Sequence, residues 1–228
     1  AASTGASPGR APDAAPLPHP RETADTADDD PDCGGQLYGA LGCPASGRLV
    51  RIEVNPVTGV MIPGTPPNPR TLVSGWCQQF SSHSVGDLRF GADGQLYVSG
   101  GEGANYDQPD IGQFNDSCPD ATGERGALRA QDAGTPQDPT GLSGAIIRVD
   151  PDTGAASAGN PFTTGDANQQ RIIGYGLRNP YRLTFRPGTS DLWFGDVGWG
   201  RWEEVNRIAD VTQPAKNFGW PCYEGDWQ

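Results

Sequence analysis

Apolar residues occur in short alternating runs set off by turn residues. Leu183 and Phe185 alternate with polar neighbours, the period of two expected of a strand with one buried face. Pro187, Gly188, Thr189 and Ser190 then form a turn, because proline presets its φ angle and glycine tolerates positive φ. Leu192, Trp193 and Phe194 make a second, more buried strand. Gly195 and Gly198 are expected to end it and to open a loop carrying Asp196, Glu203 and Glu204. The same grammar occurs upstream. LRFGADGQLYV at 88–98 has the Leu-x-Phe, the turn and the following Leu-aromatic pair of 183–194. GRLVRIEVNPVTG at 47–59 is matched by GAIIRVDPDTG at 144–154, each an apolar strand closed by an Asx-Pro turn and Thr-Gly. Both pairs recur at an offset of roughly 95 residues.

Repeated strand-turn-strand units predict an all-β propeller or solenoid rather than a sandwich. About three blades' worth of strands are represented, fewer than a ring needs to close. Residues 1–32, rich in Ala, Pro, Thr and Asp, bury nothing and read as a disordered or loop segment. Residues 33–228 read as a partial β-propeller domain. The strand-poor stretch 105–140 is an excursion over one face.

Composition agrees with a turn-rich fold: 33 glycines and 22 prolines among 228 residues leave little room for long helices. The net charge of −12 argues against nucleic acid and anionic membranes as partners. No apolar run is long enough for a membrane span. Five cysteines suggest two disulfides, Cys33–Cys43 and Cys77–Cys118, and hence an oxidising, secreted or periplasmic location. Buried free thiols are the alternative. Cys222 is left over, as if its partner had been cut away, and the absence of a leader at residue 1 would mean a processed form.

Five motifs in order carry a resemblance: GLRNP at 176–180, the Leu-Trp strand, GDVG at 195–198, EEVN at 203–206 and NFGWP at 217–221. With looser matches from Cys33 onward, the chain resembles the glucose/sorbosone dehydrogenase family. The resemblance implies a six-bladed β-propeller of the soluble quinoprotein type. It also implies oxidation of an aldose sugar to its lactone with pyrroloquinoline quinone and Ca2+, the electrons passing to an external acceptor.

The resemblance assigns roles by position. His83, one of two histidines, matches the general base that takes the proton of the anomeric hydroxyl, chemistry suited to a pKa near neutrality. Ser82 stands where close sugar dehydrogenases carry an acidic or second basic residue. Arg178 and Asn179 match a pair that contacts the quinone, where a guanidinium forms bidentate bonds to a planar polyanion. An arginine pinning the loop through backbone carbonyls is the alternative. Carbonyls of Gly198 and Trp199 match the ligands of the calcium that grips the quinone, Trp199 standing where proline is usual. Glu204 and the carbonyl of Phe218 match a second, structural calcium. Glu203 and Glu204 could equally form a solvated acidic loop. GGEG at 100–103 lacks the setting of a phosphate loop and reads as a turn at the top of the ring. No zinc pattern, Ser-His-Asp order or dinucleotide fingerprint stands out.

The family's quinone site also uses basic residues of later blades, which these 228 residues do not reach. A missing C-terminal half or a second chain is expected to complete the ring. A second reading is a binding module of the Hedgehog-interacting type, in which the propeller recognises a protein or glycan without catalysis. The two differ in whether His83 and Arg178 face a common cavity.

Overall fold

The computed structural model describes residues 45–64, 68–78, 80, 82–104, 129–134 and 139–226. The expected N-terminal segment, Cys33, Cys43, Cys118 and most of the 105–140 excursion lie outside the described residues. Ten strands dominate: β1 (Ala45–Arg51), β2 (Arg70–Gln78), β3 (Val85–Phe90), β4 (Leu96–Gly100), β5 (Ala145–Val149), β6 (Ile172–Tyr175), β7 (Pro180–Phe185), β8 (Leu192–Asp196), β9 (Glu204–Ile208) and β10 (Lys216–Asn217). A 3-10 turn (Arg129–Gly134) and one short helix, α1 (Ala167–Arg171), are the helical pieces described. Asp166 caps α1, accepting from the N–H groups of Asn168 and Gln169 at 2.9 Å each. Neither helix is long and apolar enough to cross a membrane.

The strands form three sheets. β1 and β2 pair antiparallel; β3 to β6 form an antiparallel meander, which β10 joins in parallel beside β6; β7, β8 and β9 form a second meander. The internal repeat is therefore real in space. The hairpins β3–β4 and β7–β8 are the two copies of the Leu-x-Phe unit, and they lie side by side: the Leu183 N–H donates to Asp87 Oδ2 at 3.0 Å. Each turns through a glycine in the left-handed region, Gly94 at φ 74° and Gly188 at φ 75°.

All five residues of β4 and all five of β5 are buried, as central strands covered on both faces should be. Trp76, Leu142, Ile147, Val149 and Ile172 pack on one face; Tyr97, Ile146, Leu177, Leu192 and Phe194 pack on the other. Each such side chain stabilises by about 1.5–3 kcal/mol relative to an exposed one. Two sequence expectations change. Gly195 does not break its strand; it sits inside β8 opposite Val205, and the alternation Leu192, Phe194, Asp196 carries the acid inward at the strand's end. Glu204 opens β9 rather than lying in a loop. Cys77 is disulfide-bonded and Cys222 is an exposed free thiol.

Candidate active site

The site forms where the loops after β2, β4, β6 and β8 meet the 217–224 segment. His83 has a positive φ of 53°, a region that few non-glycine residues occupy, and its side chain is 7% exposed. Two backbone bonds hold it there: the Gly103 N–H donates to the His83 carbonyl at 3.2 Å and the Gly101 N–H to the Ser84 carbonyl at 3.0 Å. Any side chain at 101 would collide with the backbone carbonyl and the Cβ of His83. The glycines of GGEG thus allow two loops to touch, and the motif is more than a rim turn.

Its glutamate is the central piece. Glu102 is fully buried and lies at the crossing of three side chains. His83 Nδ1 is 3.1 Å from Glu102 Oε1, Arg178 Nε is 3.8 Å from the same oxygen, and the Trp220 indole N–H donates to Oε2. The Glu102 N–H also donates to the Arg178 carbonyl at 2.8 Å. Burial, with the Arg178 charge adding to it, pushes the His83 pKa down to about 3. The ring is therefore neutral near pH 7. A carboxylate only accepts, so Nδ1 carries the proton and Nε2 keeps its lone pair.

Arg178 is 4% exposed and stacks on Trp220 with its guanidinium carbon 5.6 Å from the ring centre. Its Nη1 donates to the carbonyls of Val197 at 3.1 Å and Gly198 at 2.8 Å. The loop-pinning pose is thus the one adopted. Burial lowers its pKa, while Glu102, Asp196, Glu224 and Glu203 pull it back up. Asn179 enters through its backbone: its N–H donates to Asp196 Oδ1 at 2.6 Å, and the Arg178 N–H to Oδ2 at 3.1 Å. Burial raises the Asp196 pKa to about 7; these two N–H bonds oppose the rise, and the charges of Glu204 and Glu102 reinforce it.

Arg178, Gly198, Glu204 and Phe218 line one cavity together with Asp196 and Glu224. Its volume of about 10 Å³ leaves room for a single water-sized particle. His83 does not line this cavity, so the common cavity expected to set the enzyme reading apart is not formed among the described residues; His83 joins Arg178 through Glu102 instead. Trp199 is 41% exposed and meets the site through its N–H, which donates to Glu224. Glu203, outside the cavity lining, accepts from the Gly198 N–H at 3.2 Å. Burial pushes the Glu224 pKa up, but backbone N–H groups from Trp199 to Trp202 outweigh it and hold the carboxyl below its usual range.

The chemistry of the donors suits a hard cation at Glu204 and Phe218. Asp196, Glu204 and Glu224 present carboxylates to the cavity, and Arg178 is the one cation among the described residues lining it. Among the described residues no three Asp, Glu, His or Cys side chains close into a ready cage, so carbonyls must supply part of any ligand set. At the Gly198 and Trp199 pair the fit is conditional, because the Gly198 carbonyl already accepts from Arg178 and the guanidinium must release it first.

The family model for glucose/sorbosone dehydrogenases matches residues 74–226, so the chain belongs to that family. It is 33% identical to the aldose sugar dehydrogenase YliI of Escherichia coli over 87 residues, 38% of this chain and 22% of YliI. It is 28% identical to the HIPL1 protein of Arabidopsis thaliana over 162 residues, 64% of this chain and 19% of that protein. A Thermus thermophilus structure assigned as an oxidoreductase (glucose dehydrogenase) superposes with a TM-score of 0.54 at 27% identity, over 78% of this chain and 44% of that one. The chain therefore spans about a fifth of these curated relatives and under half of that solved structure.

Proposed function

We propose that the complete protein is an oxidoreductase that converts an aldose to its lactone at the anomeric carbon, with pyrroloquinoline quinone and calcium as cofactors and an external electron acceptor. The observation that carries this reading is the neutral His83 ring, held in a left-handed backbone conformation on buried Glu102 beside Arg178. On this reading the three sheets are parts of a six-bladed propeller, and the rest of the quinone cradle lies in blades beyond these residues. An extracytoplasmic location belongs to this reading, and a disulfide at Cys77 supports it.

When bound, the quinone supplies a hydride acceptor and calcium polarises it. The chain's own residues do the rest. His83 Nε2 takes the proton of the C1 hydroxyl as the C1–H hydride leaves and the C1–O double bond forms. Glu102 fixes the tautomer that leaves Nε2 free for this and steadies the imidazolium that results. Arg178 contributes positive charge toward the cofactor's carboxylates. Trp220, bonded to Glu102 and stacked on Arg178, holds both in register. A structural calcium would be held by Glu204 and the Phe218 carbonyl, and the quinone's calcium by the Gly198 and Trp199 carbonyls once Arg178 turns away from Gly198. Charge explains why the two cofactors belong together: Arg178 already balances several carboxylates, so a polyanion is accommodated only when a divalent cation enters with it.

The test is reduction of an artificial acceptor by the complete protein, loaded with quinone and calcium, across a panel of aldoses. His83→Ala is expected to lower turnover by about 10²–10⁴-fold while quinone binding survives. A wild type that neither turns over nor binds quinone would refute the enzyme reading and leave a propeller that recognises a protein or glycan.

A further inference from the structure

Three carboxylates face the small cavity, and they are not equivalent. Both oxygens of Asp196 accept backbone N–H bonds from Arg178 and Asn179. Glu204 accepts from Asn206 Nδ2 at 2.8 Å through Oε2 and from the Gly225 N–H through Oε1. Glu224 differs. Its Oε1 gathers the N–H groups of Trp199, Gly200 at 2.9 Å and Arg201 at 3.3 Å, and the Trp202 N–H adds to the stabilisation of the same carboxylate. Its Oε2 is buried with no hydrogen-bond partner among the described residues, in a residue only 4% exposed. An ionised oxygen taken out of water without a donor or a cation is strongly disfavoured. Oε1 is turned to the 199–201 amides, and the residue lines the cavity, so Oε2 is the oxygen left to whatever fills it.

A water in the cavity would give Oε2 one donor but would leave the Glu204 and Glu224 carboxylates and the Asp196 carboxyl with a single guanidinium among the described lining residues. A cation answers both needs. The cation donors of the described lining are all oxygens, with no histidine or cysteine among them, which selects a hard divalent ion such as calcium over a transition metal. We propose that Glu224, through Oε2, is a direct ligand of the cation in this cavity, together with Glu204 and the Phe218 carbonyl. The inference rests on the calcium reading above and adds a residue and a consequence to it. Because the other oxygen of Glu224 holds the 199–201 amides, cation binding fastens that loop to the segment that carries Trp220 and, through it, Glu102.

The test uses the complete protein stripped of metal, titrated with calcium by calorimetry without quinone or sugar. Glu224→Gln keeps an acceptor for the loop amides but replaces the free oxygen by an amide nitrogen. It should weaken calcium binding by about 10- to 100-fold. Asp226→Asn removes the same charge from an exposed position two residues on, outside the cavity, and should leave the affinity unchanged. If Glu224→Gln binds calcium as the wild type does, the inference falls while the calcium reading stands. If the wild type binds no calcium, both fall. A second measurement needs no variant. Saturating calcium should slow hydrogen exchange at the amides of Trp199, Gly200 and Arg201 in the wild type, and unchanged exchange there would overturn the proposal even if Glu224→Gln failed to fold.

Discussion

Two buried arginines, Arg148 and Arg178, show how one residue type does different work at two places in this chain. Arg148 lies in β5, 7% exposed, and its partners close around it. Nε and Nη2 donate to Asp93 Oδ2 at 2.9 and 2.8 Å, and Nη1 donates to the Ala158 carbonyl and Asn160 Oδ1 at 3.0 Å each. One guanidinium meets one carboxylate, whose pKa it holds below the usual value against the effect of burial. Arg178 is buried as deeply, yet its nearest acid among the described residues, Glu102, is 3.8 Å away and shared with His83 and Trp220. Around it stand Asp196, Glu203 and Glu224 as well. The first arginine ends in a neutral, saturated knot; among the described residues the second is surrounded by more acidic than basic side chains, with a carboxylate oxygen that has no described partner nearby. Such an excess is poor stability engineering and makes sense where a cation and a charged cofactor are to be bound.

The comparison can be broken by mutation. Arg148→Ala strands Asp93 and Asn160 and should destabilise the fold by about 3 kcal/mol or more, read as a lower denaturation midpoint, while quinone affinity of the folded fraction stays the same. Arg178→Ala should do the opposite, with quinone binding lost first. Equal effects of both variants on cofactor binding would remove the distinction. Trp220→Phe deletes one hydrogen bond to a buried charge and should lower stability by about 1.5–3 kcal/mol. It should also slow turnover, since Glu102 then holds His83 less firmly. Tyr97→Phe is its counterpart at the Arg148 knot, where the hydroxyl donates to Asp93 at 3.0 Å. Its loss should cost about 1 kcal/mol and leave turnover untouched.

A further effect is in pH. The folded pKa of His83, about 3, lies below its unfolded value of 6.5. The unfolded chain therefore takes up the proton first as pH falls. The associated stability is present above about pH 6.5 and is lost progressively as pH falls toward 3. His83→Gln should flatten that part of the melting profile between about pH 7 and 4; a profile as steep as the wild type's would mean the ring titrates normally.

Much of this was legible before any coordinates. The alternating runs and their repeat located β3–β4 and β7–β8 because period-two burial is a local property of a strand. The motif residues Arg178, Gly198, Glu204 and Phe218 line one cavity, whereas His83, Asn179 and Trp199 do not. Glu102 was missed because a glutamate between glycines reads as a turn. The signal was there in Gly101, a glycine needed for close backbone approach to His83. Glu224 could not be seen at all, because its partners are amides 23 to 25 residues upstream and backbone N–H groups leave no mark on a sequence. The parallel pairing of β10 with β6, which sets Trp220 against Glu102, is likewise a tertiary fact.

The central claim is that the excess negative charge around Arg178 is there to take calcium and the quinone together. Titrating the quinone into the metal-free complete protein, with and without saturating calcium, tests it by the quinone's own absorbance. The prediction is saturable binding with calcium present and binding at least about 10-fold weaker without it, with the reciprocal gain in calcium affinity when quinone is bound. Quinone binding that is absent in both conditions, or equally tight in both, would contradict it.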